Sequence, residues 1–304
     1  MSIVVNNITK LYGTQKALDN VSFEVGNHEI VGFLGPNGAG KSTMMKILTS
    51  YIPPTHGSAM VNGFDVVSQS LQVRRQIGYL PEHNPLYLDM YVKEFLEFIG
   101  NIHKISNTAA RVREMIGITG LELEQNKKIG ALSKGYRQRV GLAQAIIHDP
   151  QVLIMDEPTT GLDPNQLEEI RGLIRALGKQ KTVMLSTHIM QEVEAICDKV
   201  IIINKGVIVA NDETGKLRKN RTRQVITVEF DKEVAQQQLE KITEIDQVKH
   251  VQGHTWQLFS ASEADIRKAI FDFAVANQLG VLTLHREEQK MEDVFKELTR
   301  SPGA

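Results

Sequence analysis

The run GPNGAGKS, from Gly35 to Ser42, constrains this chain of 304 residues more than any other feature. Glycines at 35, 38 and 40 let successive backbone N–H groups turn inward around an anion, where side chains would stand in the way. The apolar run ending at Leu34 reads as a buried strand, and the pattern after the glycines predicts a helix over 41–48. That helix aims its unpaired N–H groups and the positive end of its dipole at the same point. Strand, glycine-rich turn and helix in this order form a phosphate cradle. Lys41 is placed to reach β- and γ-phosphates, and the Ser42 hydroxyl to ligate Mg²⁺.

A second run, VLIMDE at 152–157, has four apolar residues followed by two carboxylates. A buried strand carrying acids at its C-terminal end delivers them to the edge where open α/β sheets bind ligands. Asp156 suits the Mg²⁺ shell, and Glu157 suits a general base that polarises an attacking water. Between the two runs lies LSKGYRQR, at the expected start of a helix over 134–147. There Ser133 can cap the helix and Gly135 permits close approach of a bound group, so this is a further candidate anion site.

The rest of the first 217 residues alternates strand and helix. Strands are expected at 3–8, 20–25, 29–34, 152–155, 182–185 and 200–203, and helices at 41–48, 134–147, 166–177 and 191–196. The stretch 91–116 reads as mostly helical, with Val92, Phe95, Leu96 and Ile99 spaced by three and four. Alternation of this kind predicts a parallel sheet with helices on its faces. From Arg218 the basic run RKNRTRQ reads as a linker over 218–224. Beyond it the expected order is β-α-β-β-α-β, with strands at 225–230, 247–251, 255–259 and 281–286 and helices at 233–242 and 263–278. That order is the pattern of a small ferredoxin-like α+β domain over 225–304, closed by a helix at 292–299.

Composition excludes several classes. Lys plus Arg (35) nearly cancels Asp plus Glu (36), so bulk charge gives no reason to expect a nucleic-acid partner. The single cysteine, Cys197, cannot form an internal disulfide, and it is expected as a small core side chain on a helix spanning 191–199. The first ten residues lack the basic-then-apolar layout of a signal peptide, and no apolar run approaches the roughly 18 residues that span a bilayer. A cytoplasmic protein is expected, reaching any membrane through a partner.

GPNGAGKST, LSKGYRQR, VLIMDEPTTGLDP and the following LSTH, in this order over residues 1–212, resemble the motifs of ABC-transporter ATPase subunits. The resemblance implies a P-loop NTPase fold of the ABC type with a helical subdomain between the two nucleotide motifs. It implies ATP and Mg²⁺ as cofactors, with Gly35, Pro36, Asn37, Gly38, Ala39, Gly40, Lys41, Ser42 and Thr43 around the phosphates. It also implies a homodimer that sandwiches ATP, in which Ser133 and Gly135 meet the γ-phosphate held by the other protomer. By the same resemblance His188 contacts the γ-phosphate of its own protomer, Asp163 sits in the loop linking the two sites, and Tyr12 stacks on adenine.

Two motifs depart from the family. Its signature is usually LSGGQ, whereas Lys134 and Tyr136 stand here in place of a glycine and the glutamine. Glu82, in IGYLPE, stands where the family usually has a glutamine that reaches towards Mg²⁺ and water. A glutamate keeps the oxygen ligand and adds a negative charge. The segment 83–104 follows, rich in Pro85, Leu86, Tyr87, Leu88, Met90 and Tyr91; in the family this region docks the coupling helices of an integral membrane permease.

The variants IGYLPEHNPLY and LSKGYRQRVGLAQA, with an extension ending MEDVFKELTR, are similar to ATPases of ABC-2 type exporters, the gliding-motility type being the nearest in pattern. The expectation is therefore an ATPase that powers export through a separate permease, peripheral at the inner face of the cell membrane. Two other classes compete with it. A soluble ABC clamp of translation or DNA repair usually carries two cassettes or a long coiled coil, and neither is visible in the sequence. A regulatory binder that uses ATP only as a switch is disfavoured by Glu157 and His188.

Overall fold

The computed structural model describes residues 1–215, 224–260, 262, 264–287, 295 and 299. They fall into two compact units, one of Met1–Thr214 with Thr299 and one lying within 215–297.

The first unit is built on a six-stranded sheet. Its strands are β3 (Ile30–Leu34), β6 (Ile77–Leu80), β7 (Val152–Asp156), β8 (Thr182–Thr187), β9 (Lys199–Asn204) and β10 (Val207–Glu213), in the spatial order β10-β9-β3-β8-β7-β6. Every neighbouring pair is parallel except β9 with β10. The sequence explains the parallel centre. In β3, β7 and β8 every residue is buried, as strands covered by helices on both faces must be.

A second sheet, antiparallel, has the order β2-β1-β4-β5 and uses β1 (Ile3–Tyr12), β2 (Gln15–Val25), β4 (His56–Val61) and β5 (Phe64–Asp65). Helix α1 (Lys41–Leu48) lies between the two sheets, touching β7 and β8 on one side and β2 and β4 on the other. Its Met44, Met45, Ile47 and Leu48 are fully buried against Ile3, Ile8, Leu18 and Phe33. Burial of one such side chain stabilises by about 1.5–3 kcal/mol, so this packing anchors the base of the phosphate loop.

Strands β4–β6 and α2 (Ser70–Gln76) fill a stretch that motif reading left empty. One local signal was available there: Asn62-Gly63, both at positive φ, joins Val61 to Phe64 across a two-residue hairpin. Strands β1 and β2 also run longer than expected, because a β-hairpin closes them at Tyr12↔Gln15.

The helical insertion between β6 and β7 holds α3 (Val92–Ile102), α4 (Thr108–Thr119) and α5 (Lys134–Ile146), packed on one another. Val92, Phe95 and Leu96 are buried as their spacing predicts. The stretch 91–116, expected as mostly helical, is two helices with a break between them. Lys104 takes a left-handed φ of 57°, and the Asn107 side chain caps α4 by accepting from the Ala110 N–H. Helices α6 (Pro164–Gly178) and α7 (Met190–Ile196) complete the unit. Cys197 lies just past α7 rather than inside a helix reaching 199, because β9 has already begun at Lys199. It is buried all the same, and that burial pushes its thiol well above the ordinary pKa.

The second unit has the element order β11 (Gln224–Phe230), α8 (Gln236–Leu239), β12 (Gln247–Gln252), β13 (Thr255–Ser260), α9 (Arg267–Ala276), β14 (Val281–Glu287). Its sheet is antiparallel throughout in the order β12-β13-β11-β14, which is the ferredoxin-like arrangement. Ile226, Val228, Phe230, Leu258 and Ile270 form its own buried core. Helix α8 is a single turn, shorter than the expected 233–242, because QQQL offers only Leu239 as a buried anchor. The linker 218–224, apart from Gln224, and the closing helix at 292–299, apart from Phe295 and Thr299, lie outside the described residues.

Candidate nucleotide site

Sheet order brings together what the chain keeps apart. Strand β8 lies between β3 and β7, so the turns leaving all three are neighbours at the C-terminal edge of the sheet. The loop after β3 carries residues 35–42, β7 ends in Asp156 and Glu157, and β8 leads to His188. They open on a cleft of about 560 Å³ lined by Tyr12, Asn37, Gly38, Gly40, Lys41, Ser42, Thr43, Glu82, Glu157 and His188 among others.

Gly40, at φ 109°, starts α1. A side chain there is excluded twice, by that φ and because a Cβ would stand 2.5 Å from the Ala17 carbonyl oxygen. Gly40→Ala is therefore expected to cost about 1–3 kcal/mol. Thermal unfolding should show a Tm several degrees lower, and equilibrium nucleotide binding should show weakened affinity.

Lys41 is buried, and its Nζ has a full set of partners. It donates to the Gly35 carbonyl oxygen at 2.8 Å and the Pro36 carbonyl oxygen at 3.3 Å, and it lies 3.3 Å from Glu157 Oε1. An ammonium has three protons, so this set is saturated. Gly35 and Pro36 thus face the lysine through their carbonyls, while Ala39 is buried behind the loop.

Glu157 is the centre of the cluster. Its side chain is 8% exposed and its carboxylate contacts Lys41, His188 Nδ1 at 2.9 Å and the Thr160 hydroxyl at 3.0 Å. A carboxylate only accepts, so Nδ1 carries the proton in the His188 contact. The backbone of Glu157 is left-handed, with φ 50°, a conformation non-glycine residues adopt only when the surroundings impose it. Here its N–H donates both to the Ser186 carbonyl at 3.2 Å and to Ser186 Oγ at 3.1 Å. Ser186 Oγ in turn donates to Asp156 Oδ1. Asp156 is 3% exposed and lies just behind the cleft rather than on its wall.

Tyr12 and Glu82 are more open. The Tyr12 ring is 51% exposed, with Lys10 Nζ 5.5 Å from its centroid. Glu82 lines the cleft and is 44% exposed.

Ser133, Gly135 and Asp163 are not on this cleft. Ser133 caps α5, accepting weakly from the Tyr136 N–H at 3.4 Å. Asp163 caps α6, accepting from the Gln166 N–H at 2.9 Å, with Pro164 opening the helix. A Cβ on Gly135 would meet the Gln166 side chain at 2.5 Å, so the starts of α5 and α6 pack directly together. Lys134 lays its amine against Gly161, and Tyr136 stacks near the Arg139 guanidinium, 5.5 Å away. The two departures from the signature thus make contacts within their own protomer. Sequence reading missed Gln15, Ala17 and Thr160 on the cleft wall, together with Ser186, Thr187 and Glu192 behind it. A polar residue inside an apolar strand, as at Ser186 and Thr187, was the available signal.

The geometry agrees with comparisons to known proteins. Residues 18–160 match the family model described as ABC transporter. An uncharacterized ABC transporter ATP-binding protein, YxlF, of Bacillus subtilis is 32% identical, covering 96% of this chain and 97% of that protein. The bacitracin transport ATP-binding protein BcrA of Bacillus licheniformis is also 32% identical, covering 97% of this chain and 96% of its own. Among solved structures, a dimeric ATP-binding cassette in a post-hydrolysis state bound to ADP and phosphate superposes with a TM-score of 0.64 at 27% identity. That match covers 69% of this chain and 98% of the cassette. A strand-loop-helix phosphate cradle, a carboxylate pair at the end of a neighbouring strand and near full-length kinship with these proteins lead to one assignment: this chain belongs to the ATP-binding subunits of ABC transporters, which bind and hydrolyse ATP.

Proposed function

We propose that this chain powers export through a separate membrane permease, as a homodimer that closes on two ATP molecules. The observation carrying the reading is the Lys41–Glu157–His188 cluster at the C-terminal edge of the parallel sheet. When phosphates enter the loop, Lys41 turns from the Gly35 and Pro36 carbonyls towards β- and γ-oxygens. Glu157, released from Lys41, orients the attacking water as general base, while His188 contacts the γ-phosphate. Positioning and charge stabilisation do most of the work in such a transfer.

Mg²⁺ fits the residues present: Ser42 and Glu82 line the cleft and the Asp156 carboxylate lies just behind it, a set of hard oxygen donors. The ion would neutralise charge developing on the β- and γ-phosphates. Tyr12 is exposed enough to stack on adenine. Ser133 and Gly135 act on the ATP of the other protomer, and Asp163 belongs to the loop between the sites. A dimeric relative supports this reading. Glu82→Gln removes a charge from the metal side of the cleft, so the Mg²⁺ concentration for half-maximal turnover should change several-fold. An unchanged Mg²⁺ titration refutes Glu82 as ligand.

The permease side of the reading rests on a surface. Tyr87, Leu88, Tyr91, Phe98 and Ile102 are all more than 40% exposed, the Tyr87 ring standing edge-on to Phe95 and Phe98. An apolar, aromatic patch of this kind marks a docking face, here for a permease coupling helix. Docking on a permease would put the chain at the inner face of the membrane; among the described residues no helix is long and apolar enough to cross it. The gliding-motility type rests on motif resemblance alone. The domain division 1–217, 218–224 and 225–304 assigns the last part a regulatory or dimer-stabilising role.

The test is affinity capture from detergent-solubilised membranes of the source cells. Bait is the Glu157→Gln protein with Mg²⁺-ATP, with Lys41→Ala as control. Enrichment of a polytopic membrane protein is expected; recovery of ribosomal or repair components alone would move the chain to the soluble clamps.

A further inference from the structure

Glu157 and His188 stand on separate turns, and their contact depends on how those turns are held. One buried side chain spans both. Glu192, on α7 and four residues past His188, is 1% exposed. Its Oε2 accepts from the Thr187 hydroxyl at 2.6 Å, and its Oε1 accepts from the Thr159 hydroxyl. Thr187 immediately precedes His188, and Thr159 is two residues past Glu157. Both threonines are themselves buried, at 0% and 3% exposure. Thr187 Oγ1 also accepts from the Ile189 N–H at 3.1 Å, which ties it to the turn while its proton goes to Glu192. A carboxylate out of water is costly unless its oxygens are bonded, and here both are.

The chemistry calls for a carboxylate. Two hydroxyl donors converge on one side chain, and an ionised glutamate offers two oxygens that only accept. Glutamine is the same size but offers one oxygen; its amide donates, so one hydroxyl must turn from donor to acceptor and its own buried proton loses the carboxylate oxygen it bonds here. The segments tied together also include the left-handed backbone of Glu157, which persists only where neighbours over-determine it.

We infer that Glu192 is a positioning residue for ATP hydrolysis. By bridging Thr159 and Thr187 it holds the turn of Glu157 against the turn of His188. The inference rests on the roles proposed for Glu157 and His188, and it assigns Glu192 no contact with nucleotide. Loosening the bridge lets the two reacting groups drift apart without emptying the phosphate loop. A misplacement of about 1 Å costs on the order of 10²-fold in rate.

The test is single-turnover phosphate release by the full chain, with ATP affinity measured separately by equilibrium binding. Glu192→Gln is expected to lower the rate constant about 10- to 100-fold while the ATP dissociation constant stays within about twofold. Thr187→Val should give the same pattern, and Thr187→Ser, which restores the hydroxyl, should recover most of the rate. In a His188→Ala background Glu192→Gln should cost less than about twofold more, because the partner it positions is gone. An equal fold-loss in that background shows a general structural role and overturns the inference. So does a Glu192→Gln rate within about twofold of the parent, or a loss confined to affinity. If the glutamine variant does not fold, the Thr187 pair carries the same test. Glu157→Gln, run alongside, separates the two levels: normal turnover there refutes the role of Glu157 itself, whereas loss there with none in Glu192→Gln refutes only the bridge.

Discussion

Glu157→Gln protein is expected to bind ATP with an affinity within about threefold of the parent and to release phosphate about 10²- to 10⁴-fold more slowly. The size follows from the chemistry removed. An amide of the same shape still fills the site and still accepts from the Thr160 hydroxyl, so the turn at residue 157 keeps its left-handed backbone. It no longer takes a proton from water. Binding is spared because the phosphate loop contacts anions through its backbone and Lys41, neither of which needs the carboxylate. Loss of the Glu157 charge also frees Lys41 from a competitor 3.3 Å away, which favours the phosphate. Phosphate release alongside equilibrium binding checks both halves; turnover at the parental rate would exclude Glu157 as the base.

Lys41→Ala should fail earlier, at binding. It deletes the cation that reaches the β- and γ-phosphates, a charge-assisted interaction of about 1.5–3 kcal/mol, equivalent to about 10- to 150-fold in affinity. It also leaves the buried Glu157 carboxylate, 8% exposed, without its lysine beside the incoming triphosphate. An uncompensated buried charge adds to the penalty, and here it repels the ligand as well. The expected result is ATP affinity at least about 100-fold weaker and no measurable hydrolysis at millimolar ATP. Comparison of ADP with ATP sharpens the reading: the variant should lose more affinity for the triphosphate. Equal losses would mean that Lys41 supports the loop rather than the γ-phosphate.

The paired results discriminate mechanisms. A chain in which Glu157→Gln binds and stalls while Lys41→Ala does not bind uses its two charges in sequence, first to hold and then to hydrolyse. In the proposed cycle the ion pair between them joins the two events in one movement of the lysine.

Much of this was legible in the residues. GPNGAGKS specifies a loop because glycine alone tolerates the φ of 109° at Gly40 and the approach of the Ala17 carbonyl. The uninterrupted apolar run at 152–155 specifies a buried parallel strand, and the acids after it specify a site. The start of α5 was readable at Ser133, since a short polar side chain caps locally, whereas α6 begins at Pro164 behind its cap Asp163, two residues before the expected 166. The β-α-β-β-α-β order of the second unit was readable from alternating patterns, although α8 shrank to one turn because helix length depends on what the sheet offers it to bury.

What the tertiary structure decided is everything that depends on who sits beside whom. Local pattern specifies the dihedrals of a residue and which face it buries, because those follow from near neighbours in the chain. Strand order follows from the packing of all the helices at once, and only that order places β8 between β3 and β7. From it come the contacts of Glu157 with Lys41 and His188, the link of Ser186 to Asp156, and the bridge of Glu192 to Thr159 and Thr187. The sequence determined which chemistry this chain carries; the fold decided the distances at which that chemistry acts, since hydrogen bonds between residues 30 or more positions apart leave no periodic trace in the chain.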